Sequence, residues 1–409
     1  MSPNKHKVKQ IFLLILLVPL LTGCWDSQEI EQRATILAIS IDKAGSGAEE
    51  QEEQEEEISH LAGKVPEEGM IGVTVQIAVP GRIPLGPQVG GGGSAEQKSV
   101  MVVRVVGHTI EDAMFNIQQE IADEIFLGHL RLIVLSEEVA KDGVQRFNDY
   151  LRRNPEIRRT ASIVVSKEKA SKYMEVSPEL ERIPSLYLAA MVENLAHVGK
   201  FPESFIGQFW SILSSKGQDG YLPYFKIKGK KNIQLNGLAY FQGEKMVGKT
   251  KPQEVGVFMA GKGEEKGGYA SFVEIPGTEE MALVQADKRK TRIKASLKNG
   301  KPHILVKVRY ESHIAEKESP NVSIKKEADI RALEKEFDKI TRKSLSDLIS
   351  KTQKAKSDIF GFGEHFRGKL PEYWKREVRT AEGWQDVYEN LSYDVEVTTH
   401  ISRAGMKSK

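Results

Sequence analysis

The chain has 409 residues, 40% of them hydrophobic, with a mean hydropathy of −0.38 and 59 basic against 57 acidic residues, a formal charge of +2. That length supports two or three domains with real cores, and the charge balance removes the electrostatic case for a nucleic-acid partner. A single cysteine, Cys24, excludes a disulfide framework and a cysteine-built metal site.

The first element is an export signal. Lys5, Lys7 and Lys9 precede the apolar run from Ile11 to Leu21, and Thr22, Gly23 and Cys24 close it. A basic start, a short apolar stretch and small residues before a break are the parts of a cleaved signal. The run holds eleven residues and is interrupted by Pro19, too short to span a bilayer as a stable helix. A cysteine directly after Leu-Thr-Gly is the bacterial lipobox arrangement. The expectation is a signal peptide over 1–23 and an S-diacylglyceryl cysteine at Cys24, whose freed amino group is open to N-palmitoylation. Two acyl chains on one residue satisfy the two-chain requirement for stable anchoring. Removal of 1–23 takes three lysines and no acid, leaving the mature chain one charge negative.

Ala34 to Ile41 reads as a buried strand, and Met70 to Val79 and Val100 to Val106 as further strands. Between them lie two irregular segments. Residues 49–57 hold seven glutamates and two glutamines, a self-repelling run. The stretch 81–98 is rich in Pro and Gly, and its glycine run lacks the lysine and strand-to-helix context of a phosphate cradle. Both segments, with 44–68 as the first, are expected to be mobile insertions that tolerate deletion. Thr109 with Asp112 resembles a capping box before a helix with Ile110, Ala113, Met114, Ile117 and Ile121 on one face. Strands at 130–135 and 161–165 alternate with helices at 144–151 and 167–174, an α/β layering. His108 and His129 sit at element boundaries as structural histidines. The cluster from Leu151 to Arg159 reads as a solvated turn, with contact to an acidic partner or lipid headgroup as the other reading.

Helices at 185–198 and 203–214 follow, then a composition break at Gly217 and Gly220 that reads as a domain junction. Residues 221–280 form strands at 233–241, 246–248 and 269–275, with a helical turn at 254–259. Asn299-Gly300 is a type I′ hairpin signal between strands that end at Leu297 and begin at His303. The longest helix runs from Lys325 to about Lys356 with Ile330, Leu333, Phe337, Ile340, Ser344 and Leu348 inward. A last strand spans 391–401.

Four stretches carry a resemblance. Cys24-Trp25-Asp26 with Glu29-Ile30 opens the mature chain, and Arg153 to Arg158 reads Arg-Asn-Pro-Glu-Ile-Arg. Leu238 to Gly248 reads Leu-Ala-Tyr-Phe-Gln-Gly-Glu-Lys-Met-Val-Gly, and Asp358 to Gly363 reads Asp-Ile-Phe-Gly-Phe-Gly. In this order they resemble the Ger(x)C family, the lipoprotein C subunits of spore germinant receptors. The resemblance implies a lipid-anchored protein on the outer face of the cell membrane, the inner membrane of the spore. It implies partnership with A and B membrane subunits and a role in nutrient-triggered germination.

The expected fold is α+β in three modules: 24–200 with alternating strands and helices, 201–280 a small middle module, and 281–409 an antiparallel sheet with one long helix. Each module is expected to have its own sheet. No catalytic, cofactor or metal constellation emerges from spacing, so the expectation is a non-enzyme with no cofactor. The alternative is a lipid-anchored solute-binding protein feeding a membrane transporter, which calls for two similar lobes around a cleft. With no convergent polar set and no repeated lobe visible, the purified soluble part is expected to bind free nutrient weakly or not at all.

Overall fold

A computed structural model describes residues 32–45, 64, 69–79, 99–176, 183–275, 277–319, 324 and 326–402. Cys24, the signal peptide, the glutamate run and the glycine-rich segment lie outside them. The chain builds two sheets. The first contains β1 (Arg33–Lys43), β2 (Ile71–Ala78), β3 (Val100–Gly107), β4 (Glu124–Phe126), β5 (Leu132–Ser136), β6 (Ser162–Ser166), β7 (Tyr221–Lys228), β8 (Asn232–Gln242) and β9 (Lys245–Lys249). Its order is β3-β2-β1-β5-β6-β7-β8-β9, with β4 beside β1. The centre, β1-β5-β6-β7, is parallel and both flanks are antiparallel hairpins.

Period-two alternation explains why the parallel centre reads as a continuous apolar run: both of its faces are covered. Ile39, Ile41, Ile133, Leu135, Ile163 and Val165 face one core with α1 (Ile110–Glu120), α3 (Gln145–Arg153) and α5 (Ile206–Leu213). Ala38, Leu132, Val134 and Val164 face the other, against the 3₁₀ turn Ala170–Met174 and α4 (Pro184–His197). Asp42, at the end of β1, receives the Ala170 and Ser171 amides at 2.7 and 2.8 Å and so caps the 3₁₀ turn from the opposite end of the domain sequence. The Thr109 cap forms as expected: its hydroxyl accepts from Asp112 N–H at 3.1 Å. The shorter Asp reaches back to the His108 N–H at 2.8 Å. Ser136 caps α2 (Glu137–Asp142) by accepting from Val139 N–H.

The second sheet has the order β10-β11-β12-β13, with β10 (Ala270–Glu274), β11 (Met281–Lys298), β12 (Lys301–Lys317) and β13 (Ser392–Ser402). Asn299 (φ 52°) and Gly300 (φ 75°) make the I′ turn between the two long strands. One face carries α6 (Glu254–Lys262), the long α7 (Glu327–Lys354), α8 (Phe362–Lys369) and α9 (Ala381–Glu389).

Four expectations need correction. Residues 201–280 have no sheet of their own: β7, β8 and β9 continue the first sheet, and β10 opens the second. The glycines read as a junction are close-approach positions instead. A Cβ on Gly217 would meet the Gly363 carbonyl carbon at 2.5 Å, and one on Gly220 the Phe209 ring at 2.9 Å. The second sheet is also not wholly antiparallel. β13 pairs with β12 in parallel, because the crossover through α7, α8 and α9 returns the chain to the end at which β12 began. Within α7 the inward stripe is Ile330, Leu333, Phe337, Thr341, Leu345, Leu348 and Ile349. Ile340 and Ser344 are only half-buried, because a 3.6-residue turn drifts away from a stricter repeat over 28 residues.

Candidate functional site

The two sheets are joined at a buried polar clasp, and two of the four stretches singled out in the sequence meet there. Ser357 and Asp358 end the segment after α7. Ser357 Oγ donates to the Phe241 carbonyl at 2.5 Å, inside the stretch Leu238 to Gly248. Asp358 is fully buried. Its Oδ1 accepts from Gly361 N–H at 2.9 Å, and its Oδ2 accepts from Gly363 N–H and from Trp384 Nε1–H, both at 2.9 Å. The aspartate therefore wraps its own loop and holds the indole of α9. Gly361 takes φ 77°, the left-handed turn that lets the loop close.

A second aspartate completes the clasp from the first sheet. Asp219 Oδ2 accepts from Asp358 N–H at 2.8 Å, and Asp219 N–H donates to the Asp358 carbonyl at 2.9 Å. Asp219 Oδ1 accepts from Gly243 N–H at 3.0 Å and from Gln385 at 2.8 Å. Glu364 adds a third carboxylate, accepting from Gly217 N–H at 2.9 Å and from Ser215. The backbones of Gly217 and Gly363 touch, so a Cβ on Gly363 would meet Gly217 Cα at 2.6 Å and the Trp384 indole nitrogen at 2.5 Å.

Around this polar centre the loop inserts its aromatics. Tyr221 of β7 meets Phe258 of α6 edge-on at 4.9 Å, Phe258 meets Phe360 at 5.8 Å, and Phe360 stacks on Phe362 at 5.1 Å. Trp384 stacks on Trp374 at 5.7 Å and meets Phe366 at 5.3 Å. Leu238, Tyr240 and Phe201 share this same core. One continuous apolar cluster thus spans both sheets, and each aromatic pair adds about 0.5–1.5 kcal/mol beyond its buried area. The arrangement offers no nucleophile with a base beside it, and no group of three metal-ligating side chains occurs among the described residues.

Burial pushes the Asp358 carboxyl up to about 7, against three hydrogen bonds that favour its charge. Asp219 is raised as well, again chiefly by burial. A carboxyl raised in the folded chain keeps its proton where the unfolded chain, at 3.8, has lost it. Folding stability therefore falls as pH rises from about 4 to about 7, by about 4 kcal/mol for the isolated group. Glu137, held at about 2 by Lys141, Tyr224 and Lys249 against its partial burial, acts the opposite way but in a lower window. The check is urea unfolding from pH 5 to pH 7.5. Wild type minus Asp358→Asn should lose stability across that range, and a flat difference would dismiss Asp358 as the titrating group.

The third stretch, Arg153 to Arg158, lies elsewhere. It closes α3 in an Asn154 turn, with Glu156 N–H on Asn154 Oδ1 at 3.0 Å, and Glu156 accepts from Leu127 N–H at 2.7 Å. Arg153 pairs with Asp149 on the surface, and Ile157 is buried. Its role is thus partly structural, pinning the segment before β5. His108 is buried, and His129 lies edge-on to Phe126. Cys24 lies outside the described residues. Among the described residues no helix is long and apolar enough to cross a membrane. Asp219 was missed from sequence because it stands among glycines, where an aspartate ordinarily marks a solvated turn.

The α+β fold has been seen before: the crystal structure of the GerBC protein aligns at a TM-score of 0.55 and 18% identity, over 84% of this chain and 96% of that one. The model for the "Spore germination protein N-terminal domain" matches residues 26–227, and that for "Spore germination B3/GerAC like, C-terminal" matches residues 236–405. The chain belongs to this GerAC-like family of spore germination proteins. Two relatives from Bacillus subtilis (strain 168) are similar over nearly their whole length. Putative spore germination protein YfkR is 26% identical, with 99% of each chain covered. Spore germination protein KC is 26% identical over 97% of this chain and 95% of its own. The two family matches meet between β7 and β8, inside the first sheet.

Proposed function

We propose that this chain is the lipid-anchored C subunit of a spore germinant receptor, acting with A and B membrane subunits in nutrient-triggered germination. One observation carries the reading. The family match begins at residue 26, two residues after Cys24, so a lipid on Cys24 would sit directly in front of the family's domains. The subunit works by contact rather than catalysis, as a rigid two-sheet body held beside its membrane partners on the outer face of the spore's inner membrane. The clasp and the apolar cluster around it support this, since both join the two sheets. The solute-binding alternative calls for two similar lobes around a cleft, whereas the two sheets differ in strand number and topology.

The test is affinity purification of the tagged chain from detergent-solubilised spore membranes, together with a deletion strain. Co-purification with a multi-spanning protein and a transporter-like protein is expected, along with loss of response to a defined set of nutrients. A chain that purifies alone, from a strain whose deletion leaves every nutrient response intact, would overturn the proposal.

A further inference from the structure

The second sheet holds a buried cation whose hydrogen bonds all go to neutral carbonyls, with the Glu264 carboxylate acting on it without a hydrogen bond. Along β11 the inward residues are Ala282, Val284 and Ala286, an even-numbered alternation. The pairing with β12 then shifts register between Ala286 and Lys288. That bulge inserts one residue, reverses the parity and turns Arg289 inward. Arg289 is 3% exposed. Its Nε donates to the Glu264 carbonyl at 2.6 Å, while its two terminal nitrogens reach the Gly256 and Gly199 carbonyls only at 3.5 and 3.4 Å. A guanidinium has five N–H donors, so two remain without an acceptor among the described residues. All three acceptors are neutral.

Beside it lies a cavity of about 260 Å³ between α6, α7 and the sheet. Its walls include Val257, Phe337, Ile340 and Thr341, and Arg289 and Tyr310 line it together. Tyr310 is 4% exposed, its ring edge-on to Phe337 at 5.6 Å. Its hydroxyl makes no hydrogen bond to another described residue and stays within reach of solvent. Arg289 and Tyr310 are cross-strand partners in the β11–β12 pairing, and the Asp338 carboxylate acts on the same hydroxyl in the opposite sense to Arg289. The one carboxylate on the wall, Glu254, is already taken by Lys351 Nζ at 2.9 Å and by Lys251 N–H at 2.7 Å. Glu265, Asp287 and Glu311 lie with Lys266, Lys288, Lys290 and Arg309 around a separate cavity of about 790 Å³ that Arg289 also lines.

We propose that this cavity is a binding site for a small monocarboxylate with a branched aliphatic or aromatic body, its carboxylate on Arg289 and the Tyr310 hydroxyl and its body against Val257, Phe337 and Ile340. A cation and a hydroxyl at one end of an apolar cavity select that chemistry. Glu254 Oε2 is shared between Lys351 and Lys251, so a ligand ammonium would compete with Lys351 for that carboxylate. The inference stands whether or not the chain is a receptor subunit.

The test uses the full-length chain in detergent, titrated by calorimetry with 3-methylbutanoate and, as a neutral isostere, 3-methylbutanamide. Saturable binding of the acid is expected, with the amide about tenfold weaker or worse, because a charge-assisted hydrogen bond is lost. Tyr310→Phe removes one oxygen and should weaken the acid by about tenfold, and Ile340→Trp should abolish binding by filling the cavity. If the bulky variant fails to fold, Tyr310→Phe alone decides. Absence of saturation by the acid, equal binding of acid and amide, or an acid affinity unchanged in Tyr310→Phe would each overturn the site.

Discussion

Replacing Asp358 with alanine is expected to destabilise the chain by about 4 kcal/mol, the largest loss expected of any single side chain in the clasp. The substitution strips the acceptor from three buried donors, the Gly361 and Gly363 amides and the Trp384 indole. Each unsatisfied buried donor costs about 1–3 kcal/mol. Part of this is offset, because the ionised carboxylate also carries a burial penalty. Asp358→Asn gives the graded comparison. Its amide oxygen can take the Oδ2 place and keep Gly363 and Trp384, leaving its NH₂ against the Gly361 amide. The expected loss is then about 2 kcal/mol.

Because Asp358 and Asp219 bridge the two sheets, the alanine variant should also split unfolding into two steps. Guanidinium titration followed by Trp fluorescence and by far-UV circular dichroism reads both effects. An alanine variant within about 1 kcal/mol of wild type, unfolding in coincident transitions, would show that the clasp does not couple the sheets.

The clasp also marks the limit of what the sequence reveals. Local features are legible because their causes are local. The Thr109 and Ser136 caps, the Asn299-Gly300 hairpin and the apolar stripe of α7 each follow from residues a few positions apart. Leu238 to Gly248 and Asp358 to Gly363 stand out as stretches, but nothing in either says that they meet, since their contact spans over a hundred residues. Gly217 and Gly220 mislead for a physical reason. Glycine serves a flexible junction and a close backbone approach equally well, and only the packed partner distinguishes them. That ambiguity turned one shared core into an expected third module. Arg289 is hidden by a different mechanism: simple alternation along β11 points Lys288 inward, and the bulge that reverses it leaves no mark in the residue types. The proposed anchor at Cys24 is the converse case, an expectation that rests on sequence chemistry alone.

On the proposed anchoring of the chain through Cys24, Cys24→Ser is expected to release the protein from the membrane and abolish the nutrient response while leaving the folded chain intact. The thiol of Cys24 is the only one in the chain, and thioether formation needs it. A serine hydroxyl is far less nucleophilic at neutral pH, so acyl transfer should fail. Lipoprotein signal cleavage requires the lipidated residue, so residues 1–23 should stay attached. What then remains as an anchor is an eleven-residue apolar run with Pro19 inside it, too short to span well. Two acyl chains contribute about 0.8 kcal/mol per buried methylene, and nothing in that short run replaces them. The first described strand begins at Arg33, downstream of the substitution, so unfolding of the purified chain should match wild type within about 0.5 kcal/mol. Function should fall through local concentration alone: a tethered module meets its membrane partners at an effective concentration of about millimolar, and a released one at its bulk value. The measurement is expression of Cys24→Ser in sporulating cells, with labelled fatty acid, membrane fractionation and nutrient response followed in the same spores. Loss of label, a shift to the soluble fraction and a failed nutrient response are expected together. Continued labelling with a full nutrient response would refute the lipid anchor at Cys24, and a full response without label would show that the subunit finds its partners through its folded surface instead.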